Sequence, residues 1–411
     1  MPLDVVYHTL FPWENPYSSI SRSLACQLAR QGHRIWYVNP PYSWRTLWQR
    51  RREPLTQKRW KVLRRGHPLE KSIPELPQVK VLQPPPILPI NFLPHGKLYE
   101  YLRQYNERIA WNAVYQWLHR HGIRQFLYIN CYNPYYLPTL PAAAQACCQV
   151  YQCVDDITQD PWTARHGPQL ERKAISQADV VWVTSRRLYT LKKPLNPHTY
   201  LLPNAVDVDC FAQALAHPLP RPAELQALSG PFIGYTGNLD PYRIDYTLLH
   251  EVAQRHPDKQ LILVGPINAQ REQIAPLRAL PNVHFMGPRP IEALPSWLQH
   301  FDCTLLPFAC NTLTASIYPL KINEYLAAGK AVVSTAFSAD ICTFEPVIFL
   351  AQHPAQFVQL IDRAIAADKN PELQQQRLSI ARQNSWQARV DQLFDILSRH
   401  SKCKQLWKAE N

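Results

Sequence analysis

Asp155 and Asp156 stand side by side directly after the apolar run Tyr151–Val154. Neighbouring carboxylates repel, which raises the proton affinity of one and suits it to act as a base. The same pair also fits a plain helix start, with the first carboxylate as N-cap and the second near the helix dipole. A second group lies in the C-terminal half. Gly237, Gly265 and Gly287 close successive apolar runs, Arg243 follows the first, and Lys321 and Glu324 share the stretch Pro319–Ala328. Arg243 and Lys321 are cations suited to phosphate oxygens. Glu324 offers two acceptor oxygens to sugar hydroxyls. The first turn of the Pro319–Ala328 stretch, read as a helix, adds N–H donors and a positive dipole end. Taken singly, each residue also fits a surface charge or a strand-ending glycine. Their order gives them weight, because open α/β sheets bind ligands at the carboxyl ends of their strands.

The elements that must carry these groups alternate. Val5–His8 and Arg34–Asn39 read as strands around a helix, Ser18–Arg30, that Gly32 stops. Strands follow at Phe126–Asn130, Val150–Val154, Val180–Thr184 and Leu201–Pro203. A Pro-rich stretch within residues 212–230 reads as a linker. The alternation then restarts with strands at Phe232–Tyr235, Gln260–Val264, Val283–Phe285, Cys303–Pro307 and Ala331–Ser334. The fold class is α/β, as two doubly wound, Rossmann-like domains facing across a cleft, with C-terminal helices. The domains are read as residues 1–215, 226–385 and a C-terminal helix over 386–411 that packs back on the N-terminal domain.

Four segments together resemble the GT-B glycosyltransferases, especially those of family 4, or group 1. They are Leu28–Ile35, Leu202-Pro-Asn-Ala-Val-Asp207, Ile233-Gly-Tyr-Thr-Gly237 with Arg243 and Gly265, and Tyr318–Thr335. The resemblance implies an enzyme that moves a sugar from a nucleotide-diphosphate sugar to a glycan, lipid-linked or other hydroxyl acceptor. Its setting would be cell-envelope polysaccharide or glycolipid synthesis. The donor would be held by Gly237, Arg243, Gly265, Ser316, Lys321 and Glu324. In the family a pair of Glu residues stands eight positions apart; here the first position is Ser316, so only Glu324 of that pair remains. Asp155 or Asp156 is the candidate catalytic base, and His8, Trp13, Glu14 and Tyr17 are candidates for the acceptor side. The nucleotide sugar is a substrate, so no cofactor and no metal are expected. A nucleotide-sugar epimerase and a non-catalytic sugar-nucleotide or nucleic-acid binding protein are the rival readings.

Residues 44–66 break the alternation. Arg45, Arg50, Arg51, Arg52, Arg59, Arg64 and Arg65 are interleaved there with Trp44, Trp48 and Trp60. Cations among tryptophans suit an anionic membrane surface, and the formal net charge of +13 favours an anionic partner generally. Membrane outranks nucleic acid, which is not expected as a partner. The chain opens on a strand rather than a leader, and no apolar run approaches the roughly 20 residues of a spanning helix. The expected location is therefore cytoplasmic, peripheral on the inner face of the plasma membrane. The ten cysteines form no CxxC pair, which predicts reduced thiols.

Overall fold

The computed structural model describes residues 2–14, 19–63, 69–137, 140–141, 144, 146–159 and 161–403. The chain divides into two compact units. The first contains residues 1–184, 188–202 and 390–411; the second contains 185–187 and 203–389. The division falls at Leu202 and Pro203, earlier than the boundary at 215 read from the Pro-rich stretch. The reason is local: within the second unit, Asn204 donates to the Tyr318 carbonyl at 2.9 Å and its own carbonyl accepts from Asn323 at 3.1 Å.

The first unit is built on an eight-stranded sheet. Its strands are β1 (Asp4–Thr9), β2 (Arg34–Val38), β3 (Leu69–Ile73), β4 (Leu76–Gln83), β5 (Phe126–Cys131), β6 (Ala146–Cys153), β7 (Val180–Val183) and β8 (Thr199–Leu201), in spatial order 3-4-2-1-5-6-7-8. All pairs are parallel except the β3–β4 hairpin at the edge. The central strands are buried on both faces, which suits their runs of Val, Ile and Tyr. Ser19 caps the Ile20–Arg30 helix by accepting from the Arg22 N–H at 3.2 Å, and Gly32, at φ 90°, lies just past its end. A long helix, Lys97–Arg120, enters β5. Within residues 44–66, which break the alternation, two short helices form, Trp44–Gln49 and Pro54–Leu63. One expectation is corrected here. Cys148 of β6 is disulfide-bonded to Cys403, a pairing across 255 residues that no local spacing discloses.

The second unit carries a six-stranded, wholly parallel sheet. Its strands are β9 (Phe232–Thr236), β10 (Gln260–Val264), β11 (Val283–Gly287), β12 (Cys303–Leu306), β13 (Val332–Thr335) and β14 (Phe349–Ala351), ordered 11-10-9-12-13-14. The order reverses between β9 and β12, the position where open sheets leave a ligand crevice. The helix Leu320–Ala327 joins β12 to β13 and ends at Gly329, whose φ of 70° only glycine takes cheaply. Beyond it, Lys330 pairs with the buried Asp368, and Arg377 donates to the Gly329 carbonyl at 3.0 Å. This buried ionic cluster fixes the end of the helix that carries Lys321 and Glu324.

Candidate functional site

The candidate donor site is assembled at the carboxyl ends of β9, β10 and β11. Gly237 and Gly265 both lie at positive φ, 152° and 153°. The Gly237 N–H donates to the Val264 carbonyl at 2.8 Å, and the Gly265 N–H donates to the Gly287 carbonyl at 2.9 Å. A Cβ on Gly265 would lie 1.7 Å from the Gly237 oxygen. The ends of β9 and β10 thus meet backbone to backbone, an approach that a side chain on Gly265 would prevent.

The loop that follows Gly237 is pinned from both sides. Leu239 N–H donates to Pro266 O at 2.9 Å, Ala309 N–H to Arg243 O at 2.8 Å, and Asp245 N–H to Pro307 O at 2.9 Å. Arg243 is therefore held at the crevice on a fixed backbone, half-buried. The loop before the Leu320–Ala327 helix joins in, since Asn311 donates to the Tyr242 carbonyl at 3.0 Å.

Lys321 and Glu324 face the same place. A Cβ on Gly237 would lie 3.3 Å from Lys321 Cε, and Lys321 Nζ is 2.8 Å from Glu324 Oε2. Glu324 is buried and Lys321 about one-fifth exposed. Pro319, the N-cap, offers no side-chain acceptor to the first turn, where the Ile322 N–H donates to the Pro319 carbonyl at 3.4 Å. Tyr325, absent from the sequence expectations, ties this helix to β9. Its hydroxyl accepts from the Thr236 N–H at 2.8 Å and donates to the Thr236 carbonyl at 3.2 Å. A tyrosine inside a helical run gives no sign of such a role in sequence alone.

Ser316 departs from expectation. It is fully buried, and its hydroxyl donates to the Thr312 carbonyl at 3.4 Å. The small side chain closes its own turn.

On the first unit the two aspartates separate in role. Asp156 is buried, and its Oδ1 accepts from the Thr158 N–H at 3.1 Å and hydroxyl at 2.7 Å. It closes a side-chain turn two residues long, rather than capping the following helix, which begins at Pro161. Asp155 stays half-buried just past the carboxyl end of β6. Beneath it, Glu171 accepts from Lys192 at 2.6 Å, Tyr151 at 3.1 Å and the Cys153 thiol at 3.3 Å. Sequence reading missed that buried network, because its members are scattered along the chain.

His8 is corrected as an acceptor-side group. It is fully buried, with Nδ1 3.2 Å from the Tyr128 hydroxyl and Nε2 3.2 Å from the Asn133 amide. Burial pushes its pKa down to about 3, so the ring is neutral at ordinary pH. Trp13 is also buried, its backbone N–H donating to Asn39 Oδ1 at 2.8 Å and its ring edge-on to Tyr37. Glu14 accepts from Asn39 at 3.1 Å and lies 3.6 Å from Arg59. These contacts pack the loop on the sheet. Tyr17 lies outside the described residues.

The two sheets with their strand orders define the GT-B architecture of glycosyltransferases. The family of glycosyl transferases group 1 matches residues 230–367, which lie wholly within the second unit. Among curated proteins it is similar to TuaH of Bacillus subtilis (strain 168), described as a glycosyltransferase of teichuronic acid biosynthesis. The two are 25% identical over 232 residues, 54% of this chain and 58% of that one, so the match spans little more than half of the relative. Among solved structures, sucrose-phosphate synthase from Thermosynechococcus elongatus shares the fold at TM-score 0.63 and 16% identity, covering 96% of this chain and 98% of that one. Anabaena HepE, solved in complex with UDP, does so at TM-score 0.62 and 16% identity, over 96% of this chain and 100% of that one.

Proposed function

We propose that this protein is a glycosyltransferase that takes a sugar from a nucleotide-diphosphate donor and passes it to a hydroxyl acceptor in the synthesis of an envelope polysaccharide or glycolipid. One observation carries the donor half: the glycine seam of residues 237, 265 and 287 meets Lys321 and Glu324 at a sheet's reversal point. In this reading Lys321, Arg243 and the positive end of the Leu320–Ala327 helix take the diphosphate, and relieve the charge that develops as it departs. Glu324 accepts from ribose hydroxyls, and Asp155 receives the acceptor proton or orients the acceptor. The family match and the curated relative are both glycosyltransferases, which favours transfer over epimerisation and over a non-catalytic binding role.

Association with an anionic membrane surface belongs to the same proposal. Trp44 and Trp48 are 48% and 64% exposed, Arg51 stacks over Trp48, and Arg50, Arg51 and Arg52 are exposed beside them. No described helix is long and apolar enough to cross a membrane. The deciding experiment incubates the purified chain with UDP-, GDP- and ADP-sugars, measuring both release of the nucleoside diphosphate and thermal protection. Release from one donor is expected. Neither release nor protection by any of them would remove the proposal.

A further inference from the structure

A cavity of about 680 Å³ opens in the first unit, and none of the residues assigned above to the donor lines it. That volume is ordinary for a site that takes a small ligand. Its walls are fixed rather than loose. The Ile87 N–H donates to Tyr42 O at 2.9 Å and the Trp44 N–H donates to Ile87 O at 3.1 Å, which joins the loop after β2 to the segment after β4. The Asn106 side chain, buried, pairs both ways with the Leu88 backbone at 2.9 and 3.0 Å. Tyr135 donates to the Thr163 carbonyl at 2.6 Å.

The lining has two kinds of chemistry. Pro40, Pro41, Tyr42, Pro89, Tyr99 and Tyr136 present rings and flat apolar faces. Arg45, Arg50, Arg103 and Arg165 present guanidinium groups, and neither Asp nor Glu lines the cavity. Arg103 is buried and its charge is met by Glu100 and Glu107. The other three are exposed. Among the described residues, only Arg50 of these three has a carboxylate within reach, Glu53 at 3.9 Å. Arg45 and Arg165 thus bring positive charge to an aromatic cavity with no side-chain carboxylate of its own. A planar guanidinium matches a carboxylate or phosphate by paired hydrogen bonds.

We propose that this cavity binds an acceptor whose end carries an oxyanion, a carboxylate or a phosphate, beside a sugar ring or other apolar face. The assignment of the ligand as acceptor rests on the transferase reading; the ligand class rests on the cavity alone. An acidic sugar and a lipid phosphate share this chemistry.

The test titrates the full chain with octyl β-D-glucuronide, octyl β-D-glucoside and octyl phosphate, each below its micelle concentration, by calorimetry. At least one anionic amphiphile is expected to bind about tenfold or more tighter than the glucoside, and to weaken with added salt. Preference for the glucuronide assigns the acidic sugar, and preference for octyl phosphate assigns the lipid phosphate. The double variant Arg45→Gln/Arg165→Gln is expected to lose the preference with melting temperature and nucleotide affinity unchanged. Binding no better than the glucoside by both anions, or a preference intact in the double variant, overturns the proposal. A chain that prefers the anion but neither binds nor cleaves any nucleotide sugar keeps the cavity and loses the transferase reading. One that cleaves a donor but shows no anion preference loses the cavity proposal alone.

Discussion

Lys321 Nζ lies 2.8 Å from Glu324 Oε2, three residues further along the same helix, while the lysine stem rests against Gly237. The pair holds a cation and a buried carboxylate together at the end of β9. Glu324→Gln keeps the shape but removes the charge-assisted acceptor, so nucleotide affinity is expected to fall about 10- to 100-fold. Lys321→Ala is expected to weaken nucleotide binding similarly and to lower the melting temperature too, because it leaves Glu324 buried without its partner. Calorimetric titration beside thermal melting checks both; unchanged affinity in the two variants would withdraw the donor assignment.

The aspartates should divide cleanly. Asp155→Asn is expected to lower turnover about 10²- to 10⁴-fold, the usual contribution of a general base. Asp156→Ala removes the acceptor of two Thr158 hydrogen bonds and should cost about 1 kcal/mol of stability. Steady-state kinetics and melting curves on both variants read the two effects separately. The reverse pattern would move the catalytic role to Asp156.

Glycine substitutions give a graded series. Gly265→Ala would set a methyl 1.7 Å from the Gly237 oxygen at φ 153°, so the strand ends must part. A loss of more than about 3 kcal/mol, or of nucleotide binding, is expected. Gly32→Ala meets nothing within 4 Å and adds only positive-φ strain, about 1 kcal/mol. Denaturant midpoints of the two variants compare them directly.

His8 sets a pH dependence. Unfolded, its ring titrates near 6.5; folded, burial lowers it to about 3. Between those values the unfolded chain binds the extra proton, so this contribution to stability is complete above pH 6.5 and declines as pH falls towards 3. At pH 5 the loss relative to pH 7 is about 2 kcal/mol. Urea unfolding of the wild type and of His8→Gln at the two pH values should show a smaller pH effect in the variant.

Much of the fold was legible because the buried strands are continuous apolar runs closed by glycine or a turn. The edge hairpin Leu69–Gln83 was not, since Glu70, Lys71, Glu75 and Lys80 interrupt its alternation. The Lys97–Arg120 helix also escaped, because buried Arg103 and Asn106 stand where its period calls for apolar residues. In the site, Gly237, Gly265, Lys321 and Glu324 were legible through residue type and order. The burial of Ser316 and His8 was not, because exposure depends on neighbours distant in sequence. The Cys148–Cys403 bond escaped for the same reason.

The seam at Gly237, Gly265 and Gly287 makes the floor of the crevice a property of backbone alone. Of the segments that leave it, 238–244 is bound into the core by Leu239, Ile244 and the backbone bonds around Arg243, whereas 288–293 can vary with Arg243 kept in place. In the proposed reading, change confined to 288–293 shifts donor preference while Arg243, Lys321 and Gly237 stay where they are. Grafting 288–293 from a glycosyltransferase of the same architecture is the corresponding route to redesign.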